Sequence, residues 1–184
     1  MKCTVNKILL NKLHSGIQKW HRDQSISKEE RWDYERLEES MNEYEDVLSY
    51  FEKEHNVRKI GDGRDRIIFT SGNLVQSDVE TVIKISKSDG TIQNNEEVKI
   101  SNKLENELGS DITEYIAPVL DYDDNYRWIV QYRAKQGSPP NSTKKIQQKF
   151  NKIGWHCSDI SPDNLGLIDN ETVLIDLGLG VVKK

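Results

Sequence analysis

The segment Asp159-Ile160-Ser161-Pro162-Asp163-Asn164, followed after an apolar run by Asp176-Leu177-Gly178, carries the strongest signal in this chain of 184 residues. Phosphoryl transfer needs one carboxylate that orients the attacking hydroxyl. It also needs an amide oxygen and a second carboxylate that position Mg²⁺ on the phosphates. Asp159, Asn164 and Asp176 supply these groups in that order, so the stretch predicts a metal–nucleotide site.

Composition limits the other possibilities. With 35% hydrophobic and 31% charged residues, the sequence predicts one compact domain, or one domain with a helical extension. The formal net charge is −5 and the pI is about 5.5, so nucleic acid is not expected as the main partner. No apolar run approaches the roughly 20 residues of a membrane span.

The two cysteines, Cys3 and Cys157, are far apart and show no C-x-x-C spacing. This argues against a disulfide framework and against a zinc site, and it favours a reducing, cytoplasmic environment.

Residues 1–56 are predicted to form an N-terminal helical extension. A short helix is expected from about Asn6 to Trp20, and a longer one from Ser27 to about Asn56. Ser27 and Glu30 have the spacing of a capping box at the start of the longer helix. Its stripe either packs on the neighbouring lobe or serves as a coiled-coil or partner-binding face. The stripe comprises Tyr34, Leu37, Met41, Tyr44, Leu48 and Phe51.

Residues 57–136 change to short apolar runs separated by turn residues, which predicts a five-stranded antiparallel sheet. One helix, Gln93 to Leu108, is inserted between the third and fourth strands, with Gly109 as its stop. The fold class expected is therefore α+β. The predicted strands are Val57–Ile60, Arg66–Thr70, Val79–Ser86, Ala117–Tyr122 and Tyr126–Tyr132.

Residues 137–184 form a further predicted region, because Pro139-Pro140 interrupts regular structure at its start. A helix from Lys144 to Ile153, a hairpin through Asp169-Asn170 and a strand at Val173-Leu174-Ile175 are expected there.

The order of motifs from about Val57 to Gly178 resembles the protein-kinase-like superfamily. Ile60-Gly61-Asp62-Gly63-Arg64-Asp65-Arg66 is similar to its glycine-rich loop, and Val82-Ile83-Lys84 is similar to its lysine-bearing strand. The resemblance implies a kinase-like fold, in which the sheet and inserted helix form an N-lobe and residues 137–184 a truncated C-lobe. It also implies ATP and Mg²⁺ as cofactors.

The resemblance assigns roles to particular residues. Lys84 anchors the nucleotide phosphates and Glu97 holds Lys84, with Glu96 as the reserve choice. The remaining cofactor-binding residues are Gly61 and Gly63 in the loop over the phosphates, and Gln131 and Tyr132 at the hinge beside adenine.

In the same way, Asp159 corresponds to the catalytic base, while Asn164 and Asp176 correspond to the magnesium ligands. Each residue also has an ordinary structural reading. Lys84 suits an exposed edge strand, and a single Asp or Asn before a turn is usually a cap or Asx-turn residue.

Several positions depart from the family pattern. Arg66 stands where the third glycine would be, Ser161 replaces a lysine, and Cys157-Ser158 replaces the His-Arg pair before the base. Only Leu177–Lys184 follow Asp176, so the large lobe is expected to be truncated. We expect the helix predicted at Ser27–Asn56, or another protein, to cover its apolar surface.

Two functions are therefore expected from the sequence. The first is a minimal ATP-dependent kinase that transfers the γ-phosphate to a hydroxyl of a protein or small molecule. The alternative is a pseudokinase-like binding or inhibitory module that acts through an unidentified protein partner, with or without bound nucleotide. A structural or nucleic-acid role without nucleotide chemistry is the remaining option.

Overall fold

The computed structural model describes residues 3–29, 34–88, 92–137, 139–158, 160–177 and 180–183. Within these ranges the chain has an α+β fold with four α-helices and a five-stranded antiparallel sheet, as the sequence predicted. The helices are α1 (Lys7–Glu29), α2 (Tyr34–His55), α3 (Ile92–Leu108) and α4 (Ser142–Lys152). The strands are β1 (Cys3–Val5), β2 (Lys59–Asp62), β3 (Arg66–Thr70), β4 (Val75–Ser77), β5 (Thr81–Ser86), β6 (Val119–Tyr122), β7 (Trp128–Tyr132), β8 (Lys135–Gln136), β9 (Trp155–Cys157), β10 (Leu165–Ile168), β11 (Glu171–Leu174) and β12 (Val181–Lys183).

The central sheet has the order β2-β3-β5-β7-β6, and α3 connects β5 to β6. The strand predicted at Arg66–Thr70 has the predicted bounds, but each of the other four strands begins two residues later than predicted. Asn56 and Tyr126 have positive φ angles of 54° and 57°, which a strand does not accommodate. The chain therefore enters the sheet only after these turn residues.

The two faces of the sheet bury different surfaces, because side chains alternate along a strand. On β3 and β5, Ile67, Phe69, Ile83 and Ile85 are buried in a cluster with residues of α1 and α2. The alternate residues of the same strands include Arg66 and Lys84, whose side chains bond to α3. The sheet is thus covered on both faces.

The prediction that the longer helix begins at Ser27 with a capping box is wrong, because Ser27 lies inside α1, which continues to Glu29. The second helix begins at Tyr34 instead, and Glu30 lies outside the described residues. Leu10 and Leu13 on α1 are fully buried, so the packed stripe of this region starts well before Ser27.

The two helices are joined by a buried polar contact in addition to their apolar faces. Asp23 of α1 is 5% exposed and accepts hydrogen bonds from Ser40 Oγ at 2.9 Å and Arg36 Nη2 at 3.1 Å. On α2, Phe51 is buried in the cluster with the sheet, and Tyr44 and Leu48 pack against that cluster. The stripe therefore packs on the sheet, which is one of the two readings left open by the sequence.

The C-terminal region has its own core, which α3 helps to close. The expectation that the Ser27–Asn56 helix covers this region is wrong, because the described parts of α1 and α2 pack on the opposite face of the sheet. The cluster comprises Ile100, Leu104, Ile112, Ile116, Ile146, Phe150, Trp155, Cys157, Leu165, Leu174, Leu177 and Val181.

The helix, hairpin and strand predicted in this region are present, but α4 and β11 each begin two residues earlier than predicted. The helix α4 follows Pro139-Pro140, and β10 and β11 form a hairpin whose turn residues, Asp169 and Asn170, have φ angles of 50° and 67°. Gly109 ends α3 with a φ angle of 59°. Short 3₁₀ turns occur at Gly72–Leu74, Gly109–Glu114 and Pro162–Asn164.

Candidate functional site

A cavity of about 730 Å³ opens between the central sheet and the C-terminal region. This volume lies in the range of about 300–1,000 Å³ that is usual for small-molecule sites. Many of the residues singled out from the sequence line it. They are Gly61, Lys84, Gln131, Tyr132, Asn164 and Asp176.

Lys84 projects from the central strand β5 and is only 4% exposed. Its Nζ atom donates to Glu97 Oε1 at 2.6 Å and to the carbonyl oxygen of Ile175 at 2.7 Å. Burial lowers the pKa of Lys84, and the Glu97 carboxylate opposes that shift. The pairing expected between Lys84 and Glu97 is therefore present, and the reserve candidate Glu96 instead pairs with Lys99 on the surface of α3.

Arg66 is a site residue that the sequence did not identify as part of the network. Its guanidinium group forms an ion pair with Glu97 and lies 3.1 Å from Asp176 Oδ2. It also donates to Asn94 Oδ1 at 3.1 Å. Burial alone would lower the pKa of Arg66, but the two carboxylates hold this pKa above its usual value. Arg66 thus links β3 and α3 to the segment after β11.

Glu97 stands between two buried cations. It is fully buried, and its two carboxylate oxygens accept separately from Lys84 and Arg66. Gln131 Nε2 donates a further hydrogen bond to Glu97 Oε1 at 2.9 Å and one to the carbonyl of Ala117 at 2.8 Å. Because each buried charge has a partner of opposite sign, the network is tolerated inside the protein.

Asn164 and Asp176 are brought together by the backbone. The Ile175 amide donates to the carbonyl oxygen of Asn164 at 2.8 Å, which places the residue before Asp176 directly beside Asn164. The Asp176 side chain is 29% exposed and accepts from Gln93 Nε2 at 3.3 Å. Both predicted metal ligands therefore face the same cavity as Lys84.

The glycine-rich segment is a tight hairpin between β2 and β3. A Cβ atom at Gly61 would lie 3.3 Å from the Ile68 side chain, so glycine allows a close approach of the two strands. The Gly63 amide donates to the Arg66 carbonyl at 2.9 Å, and Lys87 Nζ donates to the Gly63 carbonyl at 2.7 Å. This amide is thus used inside the hairpin, whereas Gly61 lines the cavity.

The hinge candidates differ in what they offer. The Gln131 side chain belongs to the Glu97 network, and the Tyr132 amide donates to the carbonyl of Pro118 at 3.0 Å. Val82, which pairs in register with Gln131, lines the cavity two residues before Lys84. The two side chains on this face are about 7 Å apart along the strand. The cavity therefore has an apolar part at Val82 and a charged part beside Lys84.

Asp159, the predicted catalytic base, and Gly178 lie outside the described residues. No group of three or more His, Cys, Asp or Glu side chains with metal-binding geometry occurs in the described ranges. Asn164 and Asp176 still suit Mg²⁺, because this ion is commonly held by one or two protein oxygens together with phosphates and water. None of the helices in the described part of the chain has the length and apolar character to cross a membrane.

A search against protein-family models finds no match to this chain, and a search of curated protein sequences finds none either.

Proposed function

We propose that this chain has a protein-kinase-like fold, binds ATP with Mg²⁺ in the cavity and transfers the γ-phosphate to a hydroxyl of a protein or small molecule. One observation carries the proposal. Lys84, Asn164 and Asp176 line a single cavity, although they come from segments up to 92 residues apart. Glu97 forms an ion pair with Lys84.

The cavity matches the two halves of a nucleotide. The side chains of Ile60, Ile68 and Val82 offer apolar surface to a flat base, and Lys84 offers positive charge to a phosphate. Glu97 and the Ile175 carbonyl orient the ammonium group, which is a form of preorganisation. The phosphates would therefore lie against Lys84, with the base towards the hinge.

Asn164 and Asp176 are the residues that would hold the metal in this proposal. Once held there, Mg²⁺ would supply positive charge to the β- and γ-phosphates. Asp159 accepts the proton of the attacking hydroxyl while the new oxygen–phosphorus bond forms and ADP departs. The assignment of Asp159 rests on the kinase resemblance.

Thermal unfolding tests the binding part of the proposal. A ligand at about 100 times its Kd stabilises the folded state by about 2.7 kcal/mol. In a chain of this size that corresponds to a rise in Tm of about 5–11 °C. Mg·ATP should therefore raise the Tm of the natural chain, and Lys84→Met should abolish the rise. The control is Lys99→Met, because Lys99 is half exposed on α3. No shift in the natural chain would reject the proposal.

Phosphate transfer is measured separately with γ-labelled ATP. The natural chain should transfer the label to itself or to an added acceptor, or release it as inorganic phosphate by hydrolysis. Asp159→Ala and Asp176→Ala should lose this transfer. Binding that depends on Lys84 without any mutation-sensitive transfer, alone or with candidate partners, would reject catalysis and retain the nucleotide site.

The second candidate function is a pseudokinase-like module that acts on a protein partner. It is favoured by one observation, the ion pair between Arg66 and Asp176 at 3.1 Å. A carboxylate that is already neutralised by a guanidinium group is a weaker metal ligand. The labelling experiment separates the two candidates, since only the kinase transfers phosphate.

A further inference from the structure

We infer that Arg66 is a positioning residue that competes with the divalent cation for Asp176, so that metal contributes less to nucleotide binding than it would at a free carboxylate. This inference rests on the proposed nucleotide site.

The contacts of Arg66 define the competition. Its side chain is 6% exposed, and its Nη2 atom lies 3.1 Å from Asp176 Oδ2. The neighbouring Nη1 atom is fixed by Glu97 and by Asn94 Oδ1. Asn94 is in turn fixed, because its Nδ2 atom donates to the carbonyl oxygen of Tyr126 at 2.8 Å. The guanidinium group is therefore held in place before any metal arrives.

The same carboxylate is a metal ligand in the proposed site. A cation that binds both Asp176 and a phosphate must displace or share the Arg66 contact, and also the contact of Gln93 Nε2 at 3.3 Å. Arg66 has a second carboxylate, Glu97, and therefore remains paired after Asp176 is released. The cost of release is thus limited to one charge-assisted contact, and displacement is feasible.

The experiment compares the Kd of ATP measured in Mg²⁺ with the Kd measured in EDTA. The Kd in EDTA divided by the Kd in Mg²⁺ reports how much the metal contributes to binding. In Arg66→Met, which removes the charge but keeps an unbranched side chain, the ratio should rise about tenfold, equivalent to about 1.4 kcal/mol. Arg64→Met is the matched control, because Arg64 is 92% exposed in the same hairpin and the change in net charge is equal.

A double-mutant cycle shows whether the effect passes through Asp176. In an Asp176→Asn background, Arg66→Met should leave the ratio unchanged. A rise of similar size in that background would mean that Arg66 acts on the phosphates directly, and this result would overturn the inference. An unchanged or smaller ratio in Arg66→Met alone would overturn it as well.

The remaining outcomes are also decisive. If the natural chain binds no ATP in either buffer, the proposed function fails first and the inference falls with it. If Arg66→Met does not fold, Arg66→Lys is measured in the same way, because one ammonium group cannot match the two separate contacts of the guanidinium. Loss of folding in both variants, judged by circular dichroism, would show that Arg66 is needed for structure alone and would overturn the inference.

Discussion

Replacement of Glu97 by alanine should destabilise the protein strongly. Glu97 is fully buried, and it is the shared counter-ion of Lys84 and Arg66, which are both buried as well. Removing one partner from a buried ionic network typically costs about 3–5 kcal/mol, because the remaining charges are left without compensation. For a chain of this length the Tm should fall by about 6–20 °C.

The assay is urea or thermal unfolding followed by circular dichroism, with Glu96→Ala as the matched control. Glu96 lies on the same helix, its side chain is 32% exposed, and it pairs only with Lys99 in the described contacts. Its replacement should change stability by less than about 0.5 kcal/mol. If Glu97→Ala lowered the free energy of unfolding by less than about 1 kcal/mol, the buried network would not depend on this carboxylate.

The pH dependence of the same variant has a definite sign. Burial already lowers the pKa of Lys84, and loss of the Glu97 carboxylate lowers it further. The folded variant then binds fewer protons than the unfolded chain, so its stability rises with pH until Lys84 loses its proton in the unfolded chain, near pH 10.4. The difference in free energy of unfolding between Glu97→Ala and the natural chain should therefore shrink in alkaline buffer. A difference that grows with pH would contradict this reasoning.

Two further predictions concern the backbone and the thiols. Gly72→Ala should cost about 3 kcal/mol or more, since a Cβ atom there would lie 2.1 Å from the His55 carbonyl oxygen. Gly109→Ala should cost only about 1–2 kcal/mol, because its φ is also positive but its Cβ meets nothing within 4 Å. Burial raises the pKa of both thiols, that of Cys157 to about 12, but only Cys3 is partly exposed, so a thiol reagent at pH 8 should label Cys3 faster than Cys157 in the folded protein and both cysteines in denaturant. Equal unfolding curves for the two glycine variants, or rapid labelling of Cys157, would contradict these expectations.

The central sheet could be predicted because its signals are local. Alternating apolar residues and turn residues mark each strand, and Asp169-Asn170 marks the later hairpin. Short strands such as β1 and β4 could not be found in this way. Each has three residues, and its pairing partner lies about 70 residues away, so their positions depend on tertiary contacts.

The helical extension was only partly predictable. The break expected before Ser27 was inferred from a capping pattern, but tertiary packing can extend a helix past such a pattern. In the structure Asp23 is buried against α2, and this tertiary contact favours a longer α1 than the sequence pattern suggested. The prediction that the second helix covers the C-terminal region was wrong for the same reason. The apolar stripe alone does not show which surface the helix packs on.

The site was predictable where a motif fixed the residue type. Lys84, Asn164 and Asp176 were identified by their order along the chain and share the cavity. Arg66 was noticed only as a departure from the glycine pattern. Its contacts join residues 31 and 110 positions away, which no local spacing encodes. Its position in the network therefore required the three-dimensional structure.

The most direct test is a crystal structure of the chain with Mg²⁺ and a non-hydrolysable ATP analogue. Phosphate oxygens should lie within about 3 Å of Lys84 Nζ, the distance of a charge-assisted hydrogen bond. The metal should be bound by Asn164 and Asp176, and the base should lie against Val82. An analogue bound elsewhere, or bound in the cavity with its phosphates directed away from Lys84, would contradict the account.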